Sequence, residues 1–519
     1  MTLSAKTTLP RQRRRLREMR RTSQLFFLFV FLLLFFGTRD PYLSPIRSES
    51  FLQISPLLAL SLLLSAHRVV WLSLVALLLL LLTIPLGRYF CGWICPMGTI
   101  IDGSNRLLFN TRQNKQRKVP TRLYSIKYIL LIAILAASLF SVQWAGILDP
   151  IALLTRAMTV TVFPLLAFLA STGFDLLFSL GIAEAPLGSL YYAAQKLFLP
   201  FEQPVFLHSL LIAVLFLAVL ILGVFTRRFW CRYLCPLGAL FAVVARRRMV
   251  QKVVDEGCTD CGLCARNCRM GAIDEGSWRI DAAECIECAE CVTACPSSAL
   301  SYGRRRSNPA GSVDLSRRQV LLAAFSGVLG AGLLRTARGS ADPVAIRPPG
   351  AHHEDDFLRA CVRCLACVKI CESTGGCLQP ALLECGLEGL WTPIVVPRMG
   401  YCEFNCTLCG QVCPSGAIAE LSLAEKQQMK IGLAVFDKNS CIPWSRNENC
   451  LVCEEHCPLP QKAIRFQERP VQTADGVLKT VKLPYVDAQL CIGCGICENK
   501  CPVAAAPGIV VRPVLLENR

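Results

Sequence analysis

The cysteines of this 519-residue chain are grouped in short runs, and that grouping limits what the chain can fold around. Of the 30 cysteines, 24 fall in six runs of four, and four more fall in two spaced pairs. Six of these eight motifs end in Cys-Pro. Secreted disulfide scaffolds are short and have almost no core, whereas 53% of this chain is hydrophobic. The pattern therefore indicates metal ligation rather than disulfide pairing.

The first two runs have the spacing of bacterial two-cluster ferredoxins. In that pattern three close cysteines hold one [4Fe-4S] cluster, and the fourth crosses to the other cluster. We therefore assign ligands to two clusters, one held by Cys258, Cys261, Cys264 and Cys295, the other by Cys285, Cys288, Cys291 and Cys268. A zinc site built from two Cys-x2-Cys pairs explains neither the third close cysteine nor the fourth. The sequence thus predicts an α+β, bacterial-ferredoxin-like dicluster domain here.

Four more runs in the C-terminal half predict four more clusters. Two runs have the standard spacing, namely Cys361, Cys364, Cys367, Cys371 and Cys491, Cys494, Cys497, Cys501. Two runs deviate from it, namely Cys402, Cys406, Cys409, Cys413 and Cys441, Cys450, Cys453, Cys457. Runs of like spacing are expected to share a ferredoxin fold, with pairing in sequence order as the alternative. Cys377 and Cys385 are left over and are expected to be unligated, unless Cys377 substitutes for a ligand of the Cys361 run.

Apolar stretches of nearly bilayer-spanning length precede residue 230. They are 22–38, 69–87, 128–148 and 206–225, each near the length that crosses about 30 Å of hydrocarbon. Basic residues flank the N-terminus, the end of the second stretch and the end of the fourth, which places these points in the cytoplasm. The sequence therefore predicts an α-helical membrane domain with four transmembrane helices. Two other apolar stretches, 51–66 and 157–182, are expected to be interfacial or re-entrant pieces on the outer side.

The membrane half contains one unit twice. Gly87–Gly98 and Arg228–Gly238 share the pattern Cys-x3-Cys-Pro-x-Gly, and an Asp-Pro and a His precede each copy. Parallel repeats are related by an axis along the membrane normal. The two pairs can then form one tetrathiolate metal site from Cys91, Cys95, Cys231 and Cys235. Simple packing and redox-sensitive thiols are the alternatives.

The duplicated acids and histidines form a candidate quinol or proton site, which consists of Asp40, His67, Asp149 and His208. Ionisable residues at membrane depth are functional candidates, and histidine relays protons near neutral pH. The two histidines can also serve as haem ligands. The ordinary alternative is that Asp-Pro begins a turn and that an interfacial His caps a helix.

A twin arginine joins the two halves. Arg317 and Arg318 precede the mildly apolar stretch Val320–Leu334, which resembles a Tat export signal. Clusters are assembled in a folded domain, so export of residues 340–519 requires a route for folded cargo. A Gly/Ala-rich linker or anchor with an accidental Arg-Arg is the alternative. The expected domains are membrane 1–250, cytoplasmic two-cluster ferredoxin 251–303, signal and linker 304–350, and four-cluster ferredoxin 351–519.

The formal charge of +18 does not indicate nucleic-acid binding. Each oxidised [4Fe-4S] cluster on four thiolates carries about −2, so six clusters cancel about 12 of these charges. Residues 1–24 contain eight Lys or Arg and one acid, directly before an apolar run. That arrangement is typical of a cytoplasmic flank beside membrane lipid.

The motifs resemble a known family. The Cys-x3-Cys-Pro pairs with the following dicluster run resemble the membrane ferredoxin-type subunit of periplasmic nitrate reductase systems. They are also similar to membrane proteins of methylamine utilisation and of nitrous-oxide-reductase regulation. Residues from Arg347–Gly350 to Cys371, and Gly432–Val435, resemble the soluble ferredoxin-type partner. The chain thus looks like a fusion of two usually separate subunits. It departs from the family where Cys371 is followed by Glu372 instead of Pro.

The resemblance implies a quinol-dehydrogenase-type electron-transfer component in the bacterial inner membrane, a multi-pass protein. Quinol is the expected donor, six [4Fe-4S] clusters are the relay, and a periplasmic redox protein is the expected partner. No residue is assigned a catalytic role. Two alternatives remain, namely an accessory electron donor for maturation or regulation of a metalloenzyme, and an anchored polyferredoxin whose clusters all stay cytoplasmic.

Overall fold

The computed structural model describes residues 9–38, 49–67, 73–108, 123–181, 184–197, 199–200, 203–304, 315–336, 345–472, 478–504 and 506–514. Asp40 and most of the basic loop after the second apolar stretch lie outside these ranges. The chain divides into two compact units. The first contains Met1–Gly37, Ile46–Ala157 and Leu210–Leu333, and the second contains Thr38–Pro45, Met158–Ser209 and Leu334–Arg519.

Helices predominate in the described chain, and the strands are short. The helices are α1 (Leu9–Gly37), α2 (Ser50–Gln53), α3 (Pro56–Ala66), α4 (Ser73–Leu86), α5 (Tyr89–Trp93), α6 (Pro96–Leu108), α7 (Tyr124–Leu139), α8 (Ala145–Leu148), α9 (Pro150–Ala157), α10 (Phe163–Ser179), α11 (Glu184–Leu197), α12 (Ser209–Ile221), α13 (Pro236–Ala245), α14 (Leu263–Asn267), α15 (Glu290–Ala294), α16 (Arg317–Thr336), α17 (Glu354–Ala360), α18 (Ala366–Glu372), α19 (Leu408–Gln411), α20 (Leu423–Gln428), α21 (Ile442–Arg446), α22 (Val452–Glu455) and α23 (Ile496–Asn499). The strands are β1 (Val250–Val254), β2 (Leu300–Arg304), β3 (Leu378–Pro380), β4 (Pro393–Val395), β5 (Leu433–Phe436), β6 (Ile464–Gln472), β7 (Leu478–Val486) and β8 (Ile509–Arg512).

Two described helices are long and apolar enough to cross a membrane, Arg15–Gly37 and Pro150–Ser179. The first contains most of the predicted stretch 22–38. The second joins α9 and α10 through the π-helical turn Met158–Val162. A π turn before Pro164 accommodates the missing proline N–H without ending the helix. Most of the stretch 157–182, predicted as an interfacial or re-entrant piece, belongs to this continuous apolar helix.

The other three predicted spans contain shorter apolar helices, namely Ser73–Leu86, Tyr124–Leu139 and Ser209–Val224. The prediction of one continuous helix over 128–148 is wrong. Helix α7 ends at Leu139, Ser141 has a left-handed backbone with φ 62°, and α8 begins only at Ala145. Four full-length membrane helices are thus not found among the described residues.

The ferredoxin domain of the first unit is closed by one antiparallel strand pair. Val250 of β1 lies opposite Arg304 of β2, and Val254 lies opposite Leu300. Between the strands, α14 and α15 each carry the third cysteine of a run. The residue before each helix, Gly262 or Ala289, has a left-handed backbone. This turn redirects the chain from the cysteine loop into the helix, as the α+β prediction requires.

Helix α16 follows this domain and packs on α7. Its buried positions Ala323, Gly327 and Ala331 are small and spaced by four residues. A Cβ on Gly327 would lie 2.3 Å from the carbonyl oxygen of Ala133, so the two backbones are in contact. Such small-residue crossings are typical of helix pairs in membranes. The outer face of α16 exposes large apolar side chains, including Leu321, Phe325 and Leu333.

The second unit combines α10 and α11 with two cysteine-rich lobes. In the first lobe, β3 pairs with β4, and single bridges join Ile346 to Val395 and Ala351 to Ile418. In the second lobe, β5 pairs with β8, with Leu433 opposite Arg512. Strands β6 and β7 form a longer antiparallel pair from Ile464 opposite Val486 to Gln472 opposite Leu478.

Candidate iron–sulfur sites

The first two cysteine runs meet around α14 and α15 in two crossed groups. Burial raises the pKa of the Cys264 thiol, and the nearby Cys258 and Cys295 thiols raise it further. Burial likewise raises the pKa of the Cys291 thiol, which has three other thiols within electrostatic range, Cys285, Cys288 and Cys268. These are the two sets that the spacing predicts, with the fourth cysteine of each run in the other group.

Buried cations surround the second of these groups. Lys252 Nζ lies 2.9 Å from Glu287 Oε2, and Arg248 pairs with the same carboxylate. Burial acts to lower the pKa of Lys252, but the Cys285 thiolate and then Glu287 outweigh it and hold that pKa above its usual value. Lys252, Arg248 and Glu287 together carry a net positive charge beside these four thiols, which fits the negative charge of a thiolate-bound cluster.

The four cysteines of the duplicated motif also converge. Burial raises the pKa of Cys231 to about 11, and Cys91 lies within electrostatic range of it. Cys235 lies within range of Cys231, Cys91 and Cys95. Cys91 and Cys231 also pack against the core of the ferredoxin domain, beside Ile286. We call Cys91, Cys95, Cys231 and Cys235 the thiol tetrad.

Each half of the tetrad contributes one buried arginine that reaches the other half. Arg228 Nη1 donates to the carbonyl of Cys91 over 2.9 Å, and its Nη2 donates to the carbonyl of Gly98 over 3.3 Å. In the other direction, Arg88 Nη2 lies 2.9 Å from where a Cβ on Gly238 would be. Each arginine therefore needs the glycine of the opposite motif, which explains why both motifs read Cys-Pro-x-Gly.

The two arginines differ in how their donors are used. Arg228 binds both oxygens of Asp102 at 2.8 Å. Arg88 donates from Nη1 to the Ala283 carbonyl and to Glu284, while its Nε and Nη2 have no hydrogen-bond partner within the described chain. Arg88 is 1% exposed, and both Cys91 and Cys235 lie within electrostatic range of it. Buried, unsatisfied donors facing thiols fit an anionic sulfur group at the tetrad.

Single-ion geometry is not found in the described residues, because no three Cys, His, Asp or Glu side chains there are close enough to chelate one metal ion. A cubane takes one cysteine at each of four irons, so its ligands stand farther apart than those of one ion. The donor set at each of the six runs, four thiols with neighbouring backbone N–H groups or cations, fits such a cluster.

The four C-terminal runs pair in sequence order. Cys364 lies within range of Cys361 and Cys413, and Cys409 lies within range of Cys402, Cys371 and Cys406. In the second lobe, Cys453 lies within range of Cys501, Cys450 and Cys441, and Cys494 lies within range of Cys491 and Cys457. The four thiol groups are therefore Cys361/Cys364/Cys367/Cys413, Cys371/Cys402/Cys406/Cys409, Cys441/Cys450/Cys453/Cys501 and Cys457/Cys491/Cys494/Cys497.

The expected pairing of runs by like spacing is therefore wrong. Helix α18 packs on α19, and α22 packs on α23, so neighbouring runs share a lobe. The residues between Cys441 and Cys450 form the extra helix α21. An altered spacing changes the loop before the second cysteine and leaves the choice of partner run unchanged.

The predicted quinol or proton residues have different surroundings. Asp149 is fully buried and caps α9, because its carboxylate accepts hydrogen bonds from the N–H groups of Ile151 and Ala152 and from the Ser55 hydroxyl. His67 is exposed and ends α3 with a left-handed backbone. His208 also has a left-handed backbone, and its Nε2 lies 3.5 Å from Glu384. Asp149 thus has a capping role, and His208 alone of the described three faces an acid.

Several residues of these sites are not evident from the sequence argument. The sequence argument assigns no site role to Arg88 or Arg228, although each stands three residues before the first cysteine of its pair. That repeated offset is a signal that could have identified them. Gln379 and Glu384 belong to no recognisable sequence pattern. Gln379 is 1% exposed and contacts Leu207, and Glu384 contacts His208. Both partners lie more than 170 positions away in the sequence.

Comparison with family models finds iron–sulfur domains along much of the chain. A 4Fe-4S binding domain matches residues 68–116, 209–253 and 409–427, so one model covers both halves of the thiol tetrad. A 4Fe-4S dicluster domain matches 277–372, and a second matches 440–505. The match to 440–505 contains the two runs that share the second lobe. The match to 277–372 joins the second and third runs, which belong to different units.

Ferredoxin-type proteins are among the relatives of the chain. The methylamine utilization ferredoxin-type protein MauM of Methylorubrum extorquens is 37% identical over 184 residues, which is 34% of this chain and 78% of MauM. The ferredoxin-type protein NapG of Escherichia coli is 38% identical over 185 residues, 35% of this chain and 75% of NapG. The regulatory protein NosR of Pseudomonas aeruginosa is 33% identical over 202 residues, but only 22% of NosR is covered. No solved structure matches the chain.

Proposed function

Because this chain belongs to the family of ferredoxin-type proteins that includes MauM and NapG, we propose that it relays electrons from membrane quinol through six [4Fe-4S] clusters to a redox protein in the periplasm. Iron–sulfur binding and electron transfer follow from the family. The donor, the number of clusters and the periplasmic location are the proposal. When bound, the clusters supply one-electron transfer, and the 24 cysteines of the six runs are their proposed ligands.

The observation that carries the proposal is a contact inside the second unit. The carboxamide of Gln379 accepts from the N–H of Leu207 over 2.9 Å and donates to the carbonyl of Val205 over 3.3 Å. Lys369 Nζ lies 3.7 Å from the ring centre of Phe163. Leu207 is at the beginning of the apolar stretch 206–225, the end that the positive-inside pattern places outside. This contact supports a four-cluster region that faces the periplasm.

A proton acceptor lies at the same contact. Burial alone would raise the pKa of Glu384, but backbone N–H groups, with His208, outweigh burial and hold that pKa below its usual value. The N–H groups of Leu382 and Leu383 point at its Oε2 over 2.6 and 3.0 Å. Glu384 is therefore ionised at neutral pH, and its negative charge stabilises a proton on His208. Quinol oxidation releases two protons, so His208, held beside Glu384, is the proposed acceptor for one of them.

One of the cluster thiol groups adjoins the strand that makes this contact. Cys377 directly precedes β3, and Gln379 is the middle residue of that strand. Cys377 lies within electrostatic range of Cys371, Cys402 and Cys409. This group is the proposed entry point for electrons, which then need not cross the bilayer to the dicluster domain at 251–303.

The histidines provide a matched test of the donor. We expect His208→Ala to slow quinol-driven reduction of the clusters by about 100-fold or more, because a general base contributes roughly 10²- to 10⁴-fold. His67→Ala is the control, since His67 stands at the corresponding repeat position and pairs with no acid among the residues that the structure describes. Reduction is followed by bleaching of the iron–sulfur absorbance with a quinol analogue under anaerobic conditions. Wild-type rates in both variants would contradict a quinol site at His208.

Membrane insertion is supported by exposed apolar faces. Helix α4 exposes Leu74, Leu77, Leu78 and Leu81, each more than half accessible. Helix α16 combines such a face with its small-residue contact to α7. Exposed apolar surface of this kind is typical of membrane contact. We therefore propose that the short apolar helices also lie in the bilayer and that α16 is a retained crossing helix between residues 304 and 340.

Two glycines of α16 test that helix. A leucine at Gly327 collides with the Ala133 backbone, whereas nothing lies within 4 Å of a Cβ on Gly330. We expect Gly327→Leu to lower the thermal unfolding midpoint of the detergent-solubilised protein by several degrees, equivalent to about 1–3 kcal/mol. Gly330→Leu should behave like wild type. Equal effects of the two substitutions would contradict packing of α16 on α7.

Export is tested at the start of the same helix. Replacing Arg317 and Arg318 together by Lys keeps the charge but removes the guanidinium pair. If the pair directs folded export, residues 340–519 should stay inside the cell and become resistant to protease added from the periplasmic side. Protease accessibility equal to wild type would reject the twin-arginine route.

Cluster number is tested by iron and acid-labile sulfide analysis of anaerobically purified protein. Six clusters predict about 24 Fe per chain. We propose that the thiol tetrad binds additional iron, so the variant Cys91→Ser with Cys231→Ser should contain less iron than wild type, with the six runs still filled. About eight Fe per chain, or zinc as the main metal, would contradict the proposal. Equal iron in wild type and the double variant would leave the tetrad as packed thiols.

One observation favours a second function. The match to the regulatory protein NosR supports the alternative that the chain donates electrons for maturation or regulation of a metalloenzyme. A reductase that is made normally but lacks activity in a strain without this chain favours respiratory electron transfer. A reductase that lacks its own metal centre in that strain favours the maturation role.

A further inference from the structure

We propose that Cys377 is an alternative thiol ligand at the site of Cys371, Cys402, Cys406 and Cys409, able to take the place of Cys371 at one iron. The inference rests on the proposed [4Fe-4S] cluster at that site. It assigns a role to a cysteine that lies outside the six runs. The site would then differ from the other five, each of which has four thiols.

The two sulfurs are neighbours. Cys371 Sγ and Cys377 Sγ are 3.8 Å apart, and Cys377 is 2% exposed. Cys402 and Cys409 also lie within electrostatic range of Cys377. Five thiols therefore lie together, Cys377 buried and the other four half-buried, and two of them lie near enough to each other to serve the same iron.

The backbone holds Cys377 in this place. The turn between Cys371 and Cys377 contains Gly375, where a Cβ would lie 1.9 Å from the Tyr401 carbonyl oxygen. A Cβ on Gly400 would lie 2.7 Å from the backbone nitrogen of Cys377. Tyr401 N donates to the Gly375 carbonyl over 2.8 Å, next to the ligand Cys402. Only glycine permits so close an approach, and the approach brings the extra thiol beside the cluster ligands.

The equivalent position in the second lobe lacks this arrangement. Cys457 is the fourth cysteine of its run and joins the group of Cys491, as Cys371 joins the group of Cys402. Cys457 is followed by Pro458 and has no further cysteine before Cys491. Cys457 is therefore a matched control for Cys371.

The exchange needs no oxidant. The Cys371 thiolate leaves the iron and takes the proton of the Cys377 thiol, whose sulfur binds the same iron. One iron–sulfur bond breaks, one forms, and one proton moves between the two sulfurs. The cluster keeps four thiolates and its oxidation state.

Alanine variants of the full-length chain test the inference through iron and acid-labile sulfide. We expect Cys371→Ala and Cys377→Ala each to retain the iron content of wild type. The double variant should lose about four Fe per chain, and so should the control Cys457→Ala. The EPR spectrum of reduced Cys371→Ala should change in the signals of one cluster only.

Loss of about four Fe from Cys371→Ala alone, as from Cys457→Ala, would overturn the inference. A shortfall of iron in wild type at this site would instead overturn the proposed cluster, so the two failures differ. If an alanine variant does not accumulate, alkylation of the wild-type holoprotein gives a second reading, with half-buried Cys385 as the internal reference. Cys377 should resist alkylation until a chelator removes the iron, and its alkylation before iron removal would overturn the inference.

Discussion

The first unit, around its ferredoxin domain, and the first lobe of the second unit compensate charge in different ways. In the first, buried cations pair with buried carboxylates, as Arg228 does with Asp102 and Lys252 with Glu287. In the second, two buried cations, Arg363 and Lys426, bind backbone carbonyls, while the buried Lys369 pairs with Glu372. Arg363 donates to the carbonyls of Leu390 and Glu388.

This difference has an energetic consequence. A buried ion pair leaves an uncompensated charge when one partner is removed, and the cost is large. Removal of a cation that binds carbonyl oxygens leaves only unsatisfied dipoles, so the loss of unfolding free energy is smaller. Loss of the carboxylate-paired Arg228 in the first unit should therefore cost more than loss of the carbonyl-bound Arg363 in the second.

The largest expected effect is that of Arg228→Leu. Burial acts to raise the pKa of Asp102, but Arg228 and then Arg269 outweigh it and hold that pKa well below its usual range. The substitution leaves this carboxylate ionised and buried with one partner fewer. We expect a loss of about 3–5 kcal/mol in unfolding free energy.

The comparison variant is Arg363→Leu in the second unit, where loss of bonds to two carbonyls should cost about 1–3 kcal/mol. Both values are measured by chemical denaturation of the anaerobic, detergent-solubilised protein, with a probe placed in each unit. A cost at Arg363 equal to or above that at Arg228 would remove the distinction between the two regions.

Sequence spacing predicted the thiol groups of the first unit because it encodes loop geometry directly. Two residues between cysteines, a left-handed residue such as Gly262 and a short helix bring three thiols to one cluster. The same logic failed for the pairing of the C-terminal runs, because α21 absorbs the extra residues after Cys441 without changing the partner. Pairing depends on which helices pack, and the spacing within one run does not report that.

The membrane half shows a second limit of sequence analysis. Hydropathy located the apolar stretches but not their breaks, since the turn at Ser141 lies inside an apolar run. The buried contacts of Arg88 and Arg228 are also not evident from the sequence, because both residues resemble flanking positive charges that face the cytoplasm. Both are 1% exposed or less, and only the fold shows that each reaches the glycine of the opposite motif.

The next effect concerns pH and belongs to the ferredoxin domain of the first unit. Burial, and then the charge of Glu284, raise the pKa of Asp281 to about 6, against about 3.9 in an unfolded chain. The folded chain binds this proton more tightly. The resulting stabilisation is complete below about pH 4 and is lost as the pH rises through about 6, and it amounts to at most about 3 kcal/mol.

The substitution Asp281→Asn should remove this dependence. Relative to wild type, the variant should gain unfolding free energy as the pH rises from 4 to 7, and the two curves should be parallel above pH 7. Denaturation at several pH values checks this, with iron content measured in parallel to exclude acid loss of clusters. Parallel curves between pH 4 and 7 would show that Asp281 has an ordinary pKa in the folded chain.

The smallest expected effect is on the reduction potential of one cluster in the ferredoxin domain of the first unit. Lys252 lies within electrostatic range of Cys285 and Cys291 and is 3% exposed. Reduction adds an electron, so a nearby positive charge stabilises the reduced state and raises the potential. We expect Lys252→Gln to lower the midpoint potential of that cluster by on the order of 100 mV, which is what a unit charge would give at about 7 Å and an effective dielectric constant of about 20. EPR-monitored redox titration measures the shift, and Lys438→Gln is the control, because Lys438 is exposed and screened by solvent. An equal shift in the two variants, or a rise at Lys252→Gln, would show that the buried cations of the first unit do not set the potential of its clusters.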